Sequence, residues 1–482
     1  LAGAPFTGAA HGQAPAQEPA PVERPEELTY PPLSEFDIPQ PQRVELDNGM
    51  VVLLLEDHEL PLVRATALVR TGERLEPADA VGLAGIVGTV LRTGGTETMA
   101  PDELDDFLEN RAASIESSIG EDQGRVTMSS LADDFPAVFR VFGDVLRRPA
   151  FAPDRIQVAL NQARAEVARQ NDNPQSIAFR EVRERIYGPE SPYARTPAYA
   201  TLATIERDDL VSWHRRDYRP DRVVLGLVGD FETGETLALV REVFGDWRPP
   251  AGSEPPPDGS GVELREEPDP GVFVAEKSDI NQSNIALGHL GVRKDHPDFY
   301  ALEVMNEVLS GGGNSRLFDE VRTKKGLAYA VFGRVGSDWD HPGTTLVFTT
   351  TKVSTTGEAI QALLDEVRGM EERPPTDEEV ARAKQSILTS FVFNVDEPGE
   401  VLEQQLTYEY FGYPLDRLAE YRERIEAVSA DDVRRAAEHL RPEDLSIVVV
   451  GPTEGRDTDL SEFGEVQELD ISIPPPPAPS GG

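Results

Sequence analysis

The chain contains no cysteine among its 482 residues. That absence excludes disulfides, thiolate zinc sites, iron–sulfur clusters and a cysteine nucleophile. No apolar run reaches the roughly 18 residues that a membrane-spanning helix needs. Basic residues are scarce, with 46 Lys and Arg against 87 Asp and Glu and a formal net charge of −41. Phosphate backbones repel such a surface, so nucleic-acid binding is excluded. Electrostatic attachment to an anionic membrane is disfavoured for the same reason. The seven histidines are His11, His58, His214, His289, His296, His341 and His439. No two stand four apart, so no helical pair of imidazoles can hold a metal ion. His289 and His296 bracket a strand end and turn in GHLGVRKDH, with nothing acidic completing a ligand set by pattern. His214, in SWHRRDY, reads as a surface or capping residue. No metal or other cofactor is therefore expected in this chain.

What is present is a long polar-ended chain with two similar halves. Its length allows about three domains of ~150 residues and a large core. Residues 1–42 are rich in Pro, Ala and Glu without apolar periodicity and read as a disordered or extended arm. The stretch AGAPFTGAAHGQAPAQEPAPVERPEE after Leu1 resembles the segment that follows a cleaved export signal, so export, to the periplasm, is expected. A linker at 249–262 lies in the run RPPAGSEPPPDGSG, and residues 466–482 read as a Pro-rich tail. Between these lie two domains, 43–248 and 263–465.

The two repeat one pattern. Strand-like GMVVLLLEDHELPLVRATALV opens the first, and GVFVAEKSDINQSNIALGHL opens the second. A helix ending in glycines follows in each, VGLAGIVGTVLRTGG and ALEVMNEVLSGGG. Each continues through another helix, two strands and a long helix with an Asp near its start. Each closes on helix and strand, ending RVVLGLVGD and DLSIVVVGP. A repeat of about 220 residues is too long for a solenoid unit and indicates duplicated α+β domains. Strands come in adjacent pairs and helices in runs, which predicts an antiparallel-rich sheet with helices on one face in each domain.

The strongest local signal is SGGGNSRLFDEVRTKKGLAYAVFG, from Ser310 to Gly333. Helical spacing over Ser315–Thr323 places Leu317, Phe318 and Val321 on one face. Lys324 and Lys325 suit a helix C-terminus, Gly326 a left-handed cap, and Leu327–Val335 a strand. Arg322 and Tyr329 flank that turn. A guanidinium offers a fork for carbonyls or carboxylates, and a phenol can donate to a developing oxyanion. On these residues alone, an Arg paired with an acid beside a half-buried Tyr is the better explanation of the pattern. Gly311, Gly312 and Gly313 read as a flexible turn.

This segment resembles the C-terminal-half signature of the pitrilysin/insulinase metallopeptidase family, which includes the mitochondrial processing peptidases. There an Arg and a Tyr seven positions apart follow a Gly-rich turn and a helix like SRLF; Arg322 and Tyr329 match in type and spacing. The resemblance spans about residues 43 to 465 and implies the duplicated α+β fold. In active members the first half carries His-x-x-Glu-His on a helix, with a Glu ligand further on. Two imidazoles on one helical face hold zinc and the intervening Glu serves as base. Here Gly85 and Thr89 stand at the His positions and Gly88 at the base position. Counting 76 intervening residues from Thr89 leads to Glu166, so the distal carboxylate is kept. The glycines of GLAGIVG could allow tight packing or let the helix close over the space of a lost metal.

The resemblance therefore implies a chain inactive alone that is the non-catalytic subunit of a heterodimeric zinc metalloendopeptidase. Arg322 and Tyr329 would act on substrate at the site of a homologous partner that carries the zinc. Gly311, Gly312 and Gly313 would contact the peptide or unfolded polypeptide, although the glycine loop is far shorter than in the processing peptidase's non-catalytic subunit. The alternative is a scaffold like the core proteins of the respiratory bc1 complex, with no peptidase role.

Overall fold

Runs of β-branched residues form the strands of the first half: β1 (Gln42–Glu45), β2 (Val51–Glu56), β3 (Leu62–Val69), β4 (Ser114–Ile119), β5 (Gly124–Leu131) and β6 (Val223–Gly229). They make one sheet in the order β1-β2-β6-β3-β5-β4. Every neighbouring pair is antiparallel except β2 with β6. The second half contributes β7 (Gly271–Glu276), β8 (Gln282–Leu290), β9 (Val292–Arg293), β10 (Val331–Val335), β11 (Ser337–Asp338), β12 (Thr344–Lys352), β13 (Ser446–Gly451) and β14 (Val466–Glu468). Its main sheet runs β10-β12-β8-β13-β7-β14, and β9 pairs with β11 apart from it. Strand for strand, β2 to β6 take the places of β7, β8, β10, β12 and β13. The duplicated, antiparallel-rich α+β architecture is thus the observed one. The computed structural model describes residues 38–249, 262, 264–265 and 267–477. The arm is outside these residues up to position 37, as is the linker apart from Pro249 and Val262.

Helices Leu83–Thr93, Phe135–Arg147, Arg207–Asp217 and Thr233–Phe244 bury their apolar faces against one side of the first sheet. The opposite sides have covers that the sequence halves did not foretell. The helix Pro398–Phe411, from the second half, lays Leu402, Leu406 and Tyr410 on Leu53, Leu55, Leu68, Val224 and Val228 of the first sheet. The helix Pro174–Tyr187, from the first half, sets Ile177, Val182 and Ile186 against Phe273, Ala286 and Val448 of the second. Each half therefore lends one helix to the other's sheet. Both faces of β6 and β13 are covered, and every residue of these two strands is buried. That explains why VVLGLVG and SIVVVG are continuously apolar or small rather than alternating. Two glycines permit the close approach: a Cβ on Gly226 would meet Leu406 at 2.5 Å, and one on Gly288 would meet Ile186 at 2.9 Å.

Two segments depart from the sequence expectation. The chain does not leave the fold at Val466. Residues Val466–Glu468 add β14 in parallel to β7, and the Leu469 N–H then bonds the Val274 carbonyl at 2.8 Å. Leu469 and Ile471 pack on the second core and Ile473 on the first. Apolar residues at 469, 471 and 473 alternate as a buried strand requires, and the prolines that follow masked that signal. The strand expected from Leu327 begins only at Val331. Gly326 does adopt the left-handed conformation, with φ of 62°. Beyond it the Leu327 and Ala330 carbonyls take hydroxyls from Thr351 and Thr349, so residues 327–330 form a loop. Among the described residues no helix is long and apolar enough to cross a membrane.

Candidate functional site

The helix Leu83–Thr93 buries Leu83, Ala84, Ile86, Val87, Gly88, Val90 and Leu91. Gly85 and Thr89, one turn apart, fall on its remaining face. Together with Glu166 from the helix Pro153–Arg169 they line one cavity of about 240 Å³. The two positions that the resemblance sets against His, and the Glu166 carboxylate, are thus brought together. No zinc site follows. A hydrogen atom, one hydroxyl and one carboxylate stand there, and zinc needs nitrogen or thiolate donors in such a set. The residues present do not fit the metal.

Gly88 points elsewhere. A Cβ there would lie 2.4 Å from the Ile119 nitrogen and 2.8 Å from the Ser118 carbonyl carbon, so the helix rides directly on β4. The Ser117 hydroxyl donates to the Gly88 carbonyl at 2.6 Å and fixes this approach. Gly85 is the opposite case, with no atom within 4 Å of a Cβ position. The two glycines have separate causes: close packing at Gly88, and open space left facing the cavity at Gly85.

Sequence reading missed Glu76, Gln162 and Arg195, which line the same cavity. The helix starts at Gly82, left-handed and without a side chain to cap. Glu76 supplies the cap from six residues upstream: its carboxylate accepts the Gly82 N–H at 3.1 Å and the Ala84 N–H at 2.6 Å. A glycine at an N-cap preceded by a nearby acid is the signal that could have found it. The Arg195 guanidinium donates to the Glu76 backbone carbonyl at 3.4 Å. Glu76 is only 7% exposed. Burial pushes its carboxyl from 4.5 up to about 7, against the lowering effect of the two N–H donors. The folded chain therefore holds a proton there that the unfolded chain has lost. This stabilisation is fully present below pH 4.5 and is lost as pH rises through 7. The loss amounts to roughly 3 kcal/mol. Glu76→Gln removes it, so urea melts should show the variant gaining about that much on the native chain between pH 4.5 and pH 8. A constant difference across that range refutes the assignment.

The second cluster surrounds Arg322. The chain turns at Gly312–Asn314, with Gly312 at φ of 74°, and Gly311 leaves no room for a Cβ because Glu307 would stand 2.2 Å away. Helical turns follow and widen to π geometry over Phe318–Lys324, with Leu317 and Val321 buried as expected. Such turns are rare and recur at functional sites. The nearby acids are taken by lysines: Lys324 pairs with Asp319 at 2.8 Å, and Glu320 receives Lys324 and Lys325. Arg322 makes no ion pair among the described residues. Its guanidinium lies between two rings, 4.6 Å from the Phe318 centroid and 4.7 Å from the Tyr329 centroid. Tyr329 is 82% exposed. The plain alternative, an Arg held by an acid beside a half-buried Tyr, is overturned on both counts. Phe318 was legible as a partner from its i,i+4 spacing to Arg322. Gly311–Gly313 form the turn that leads into this helix, while Arg322 and Tyr329 do not line the Glu166 cavity.

His214 is also corrected. Its ring sits between Phe151 and Tyr218, its Nε2 meets the Leu146 carbonyl at 2.9 Å, and burial pushes it down to about 4. It is an internal group that caps a last-turn carbonyl of the helix Phe135–Arg147, so the capping role holds and the surface one does not.

Compared with known proteins, residues 51–195 match the family model described as Insulinase (Peptidase family M16), and residues 204–387 match Peptidase M16 inactive domain. An uncharacterized zinc protease of Mycobacterium tuberculosis is 25% identical over 420 residues, covering 86% of this chain and 93% of its own. Another from Bacillus subtilis is 23% identical over 420 residues, covering 86% and 98%. The crystal structure of a peptidase M16 inactive domain from Pseudomonas fluorescens superposes with a TM-score of 0.79 at 24% identity, over 86% of this chain and 98% of that one. A protease from Helicobacter pylori gives 0.76 at 19% identity, over 86% and 100%. These two share the fold.

Proposed function

The chain belongs to the insulinase (M16) family of peptidases, and we propose that within it this chain is the non-catalytic subunit of a heterodimeric zinc metallopeptidase. The partner is a homologous chain with an intact His-x-x-Glu-His, which supplies the zinc; this chain holds none of its own at the corresponding place. Arg322 takes carbonyl oxygens of an extended peptide or unfolded polypeptide, and Tyr329 donates its phenol proton as a hydrogen bond to the oxyanion that develops at the scissile carbonyl. The glycines at 311–313 let the substrate backbone pass close to the turn. Action in the periplasm belongs to the same proposal.

One contrast carries this reading. The zinc ligands are gone and Gly88 is packed shut, yet Arg322 and Tyr329 stand exposed, stacked on each other and free of acids in a chain with 87 of them. A protein kept only for its shape would gain nothing from an unpaired cation beside an exposed phenol.

The test is purification of the tagged chain from its native cells, with identification of what accompanies it. A stoichiometric homologue bearing His-x-x-Glu-His, with peptide hydrolysis by the pair and by neither chain alone, supports the proposal. Hydrolysis by this chain alone refutes it. So does recovery solely with respiratory or envelope proteins that lack the motif, which would make the chain a scaffold.

A further inference from the structure

The second half brings together three metal-binding side chains that lie outside the site described above. His296 stands in the turn after β9, Asp298 precedes the helix Phe299–Ser310, and His439 ends the turn Ala437–His439, some 140 positions further along. One ligand atom from each lies within 4.8 Å of the other two. The Asp298 Oδ2 and His439 Nε2 are 3.1 Å apart, and the two imidazoles meet edge to face at 4.8 Å between centroids. By pattern alone His296 had no acidic companion. Asp298 is that companion, placed by the tight turn, and His439 arrives through the tertiary fold.

We propose that His296, Asp298 and His439 form a binding site for a divalent transition metal of the zinc class. Two imidazoles and a carboxylate with open positions for water are a donor set that such ions accept. Ligand atoms around a tetrahedral ion with bonds of ~2.0–2.1 Å stand about 3.3 Å apart. The Asp298–His439 pair is already near that spacing, and His296 closes the remainder by side-chain rotation.

The surroundings suit the ion. Asp298 occupies the N-cap position of its helix, yet its carboxylate makes no cap hydrogen bond. It turns instead to His439 through Oδ2 and to Arg435 through Oδ1, at 2.9 Å from Nε. An ion would take the place of the His439 bond on Oδ2 while Oδ1 remains on Arg435, an outer partner of the kind that orients ligating carboxylates. Binding has a cost. The His296 Nδ1 accepts the Asp298 N–H at 3.1 Å, and an ion on either ring nitrogen exchanges that bond, because the other nitrogen then carries the proton. The bound ion would tie the turn after Ala430–Ala436 to the start of Phe299–Ser310, whose far end leads into the Gly311–Gly313 turn. The site does not depend on a partner subunit.

The test titrates the full chain with Zn²⁺ against a chromophoric chelator. One equivalent should bind, and His296→Asn and His439→Asn should each weaken it at least about tenfold. His58→Asn, which alters an exposed histidine beside Asp230 and Glu56, should leave it unchanged. Zn²⁺ should raise the Tm of the native chain and not that of the His439→Asn variant. Equal binding by native chain and both variants overturns the proposal, as does the absence of saturable binding. Circular dichroism of the metal-free variants separates a lost site from a lost fold, and His296→Asn, on a surface turn, keeps the test open if His439→Asn does not fold. None of these results bears on which subunit accompanies the chain.

Discussion

In the assembled pair, Arg322→Ala or Tyr329→Phe lowers peptide turnover by about 10² or more, the loss that follows removal of one oxyanion donor. The two changes should separate kinetically. Tyr329→Phe removes only the phenol oxygen, leaves the ring on which the guanidinium rests, and so acts on kcat. Arg322→Ala removes a group that meets the substrate in both ground and transition states, so it raises KM as well. Arg322→Lys should recover little, because an ammonium is a point charge and has no planar face to stack on Phe318 and Tyr329. Stability should not change beyond about 0.5 kcal/mol, since both side chains are exposed surface groups. Steady-state kinetics and urea melts on the same preparations decide the matter. Unchanged turnover in both variants would sink the subunit reading, and a matching loss of stability would reduce the pair to packing.

The geometry behind that expectation was partly legible in the sequence. The seven-residue spacing from Arg322 to Tyr329 and the Gly326 reversal could be read because they are local. So could the duplicated pattern, because VVLGLVG and SIVVVG recur in the same context. What escaped reading depends on contacts distant in sequence. Nothing in PQSIAFREVRERIY shows that this helix covers the second sheet instead of its own. The same holds for PGEVLEQQLTYEYF on the first sheet, although full burial of β6 and β13 required some cover on both faces. The exposure of Tyr329 was hidden because an aromatic next to a strand is more often buried than offered. His296 and His439 could not be paired from spacing at all. The two glycines of GLAGIVG looked alike in sequence, and only the position of β4 distinguishes them.

That distinction predicts opposite outcomes for one substitution made at two places three residues apart. Gly88→Ala should destabilise the fold by about 3 kcal/mol or more, at the upper end of overpacking costs. The added methyl meets backbone atoms of Ser118 and Ile119, which belong to a sheet and cannot rotate aside. Gly85→Ala should stabilise it by about 0.5–1 kcal/mol, because the methyl enters open space and the helix loses a flexible residue. Urea melts of the two variants give the comparison directly, and equal effects would contradict the geometry. At Gly85, on the cavity, a space is left open. At Gly88 the helix rests against β4, held by the Ser117 hydroxyl on the Gly88 carbonyl. A glutamate at 88 would need the helix to separate from that strand before it could accept a proton. The packing of the first domain therefore leaves no place for a carboxylate at 88, while Arg322 and Tyr329 in the second domain are exposed.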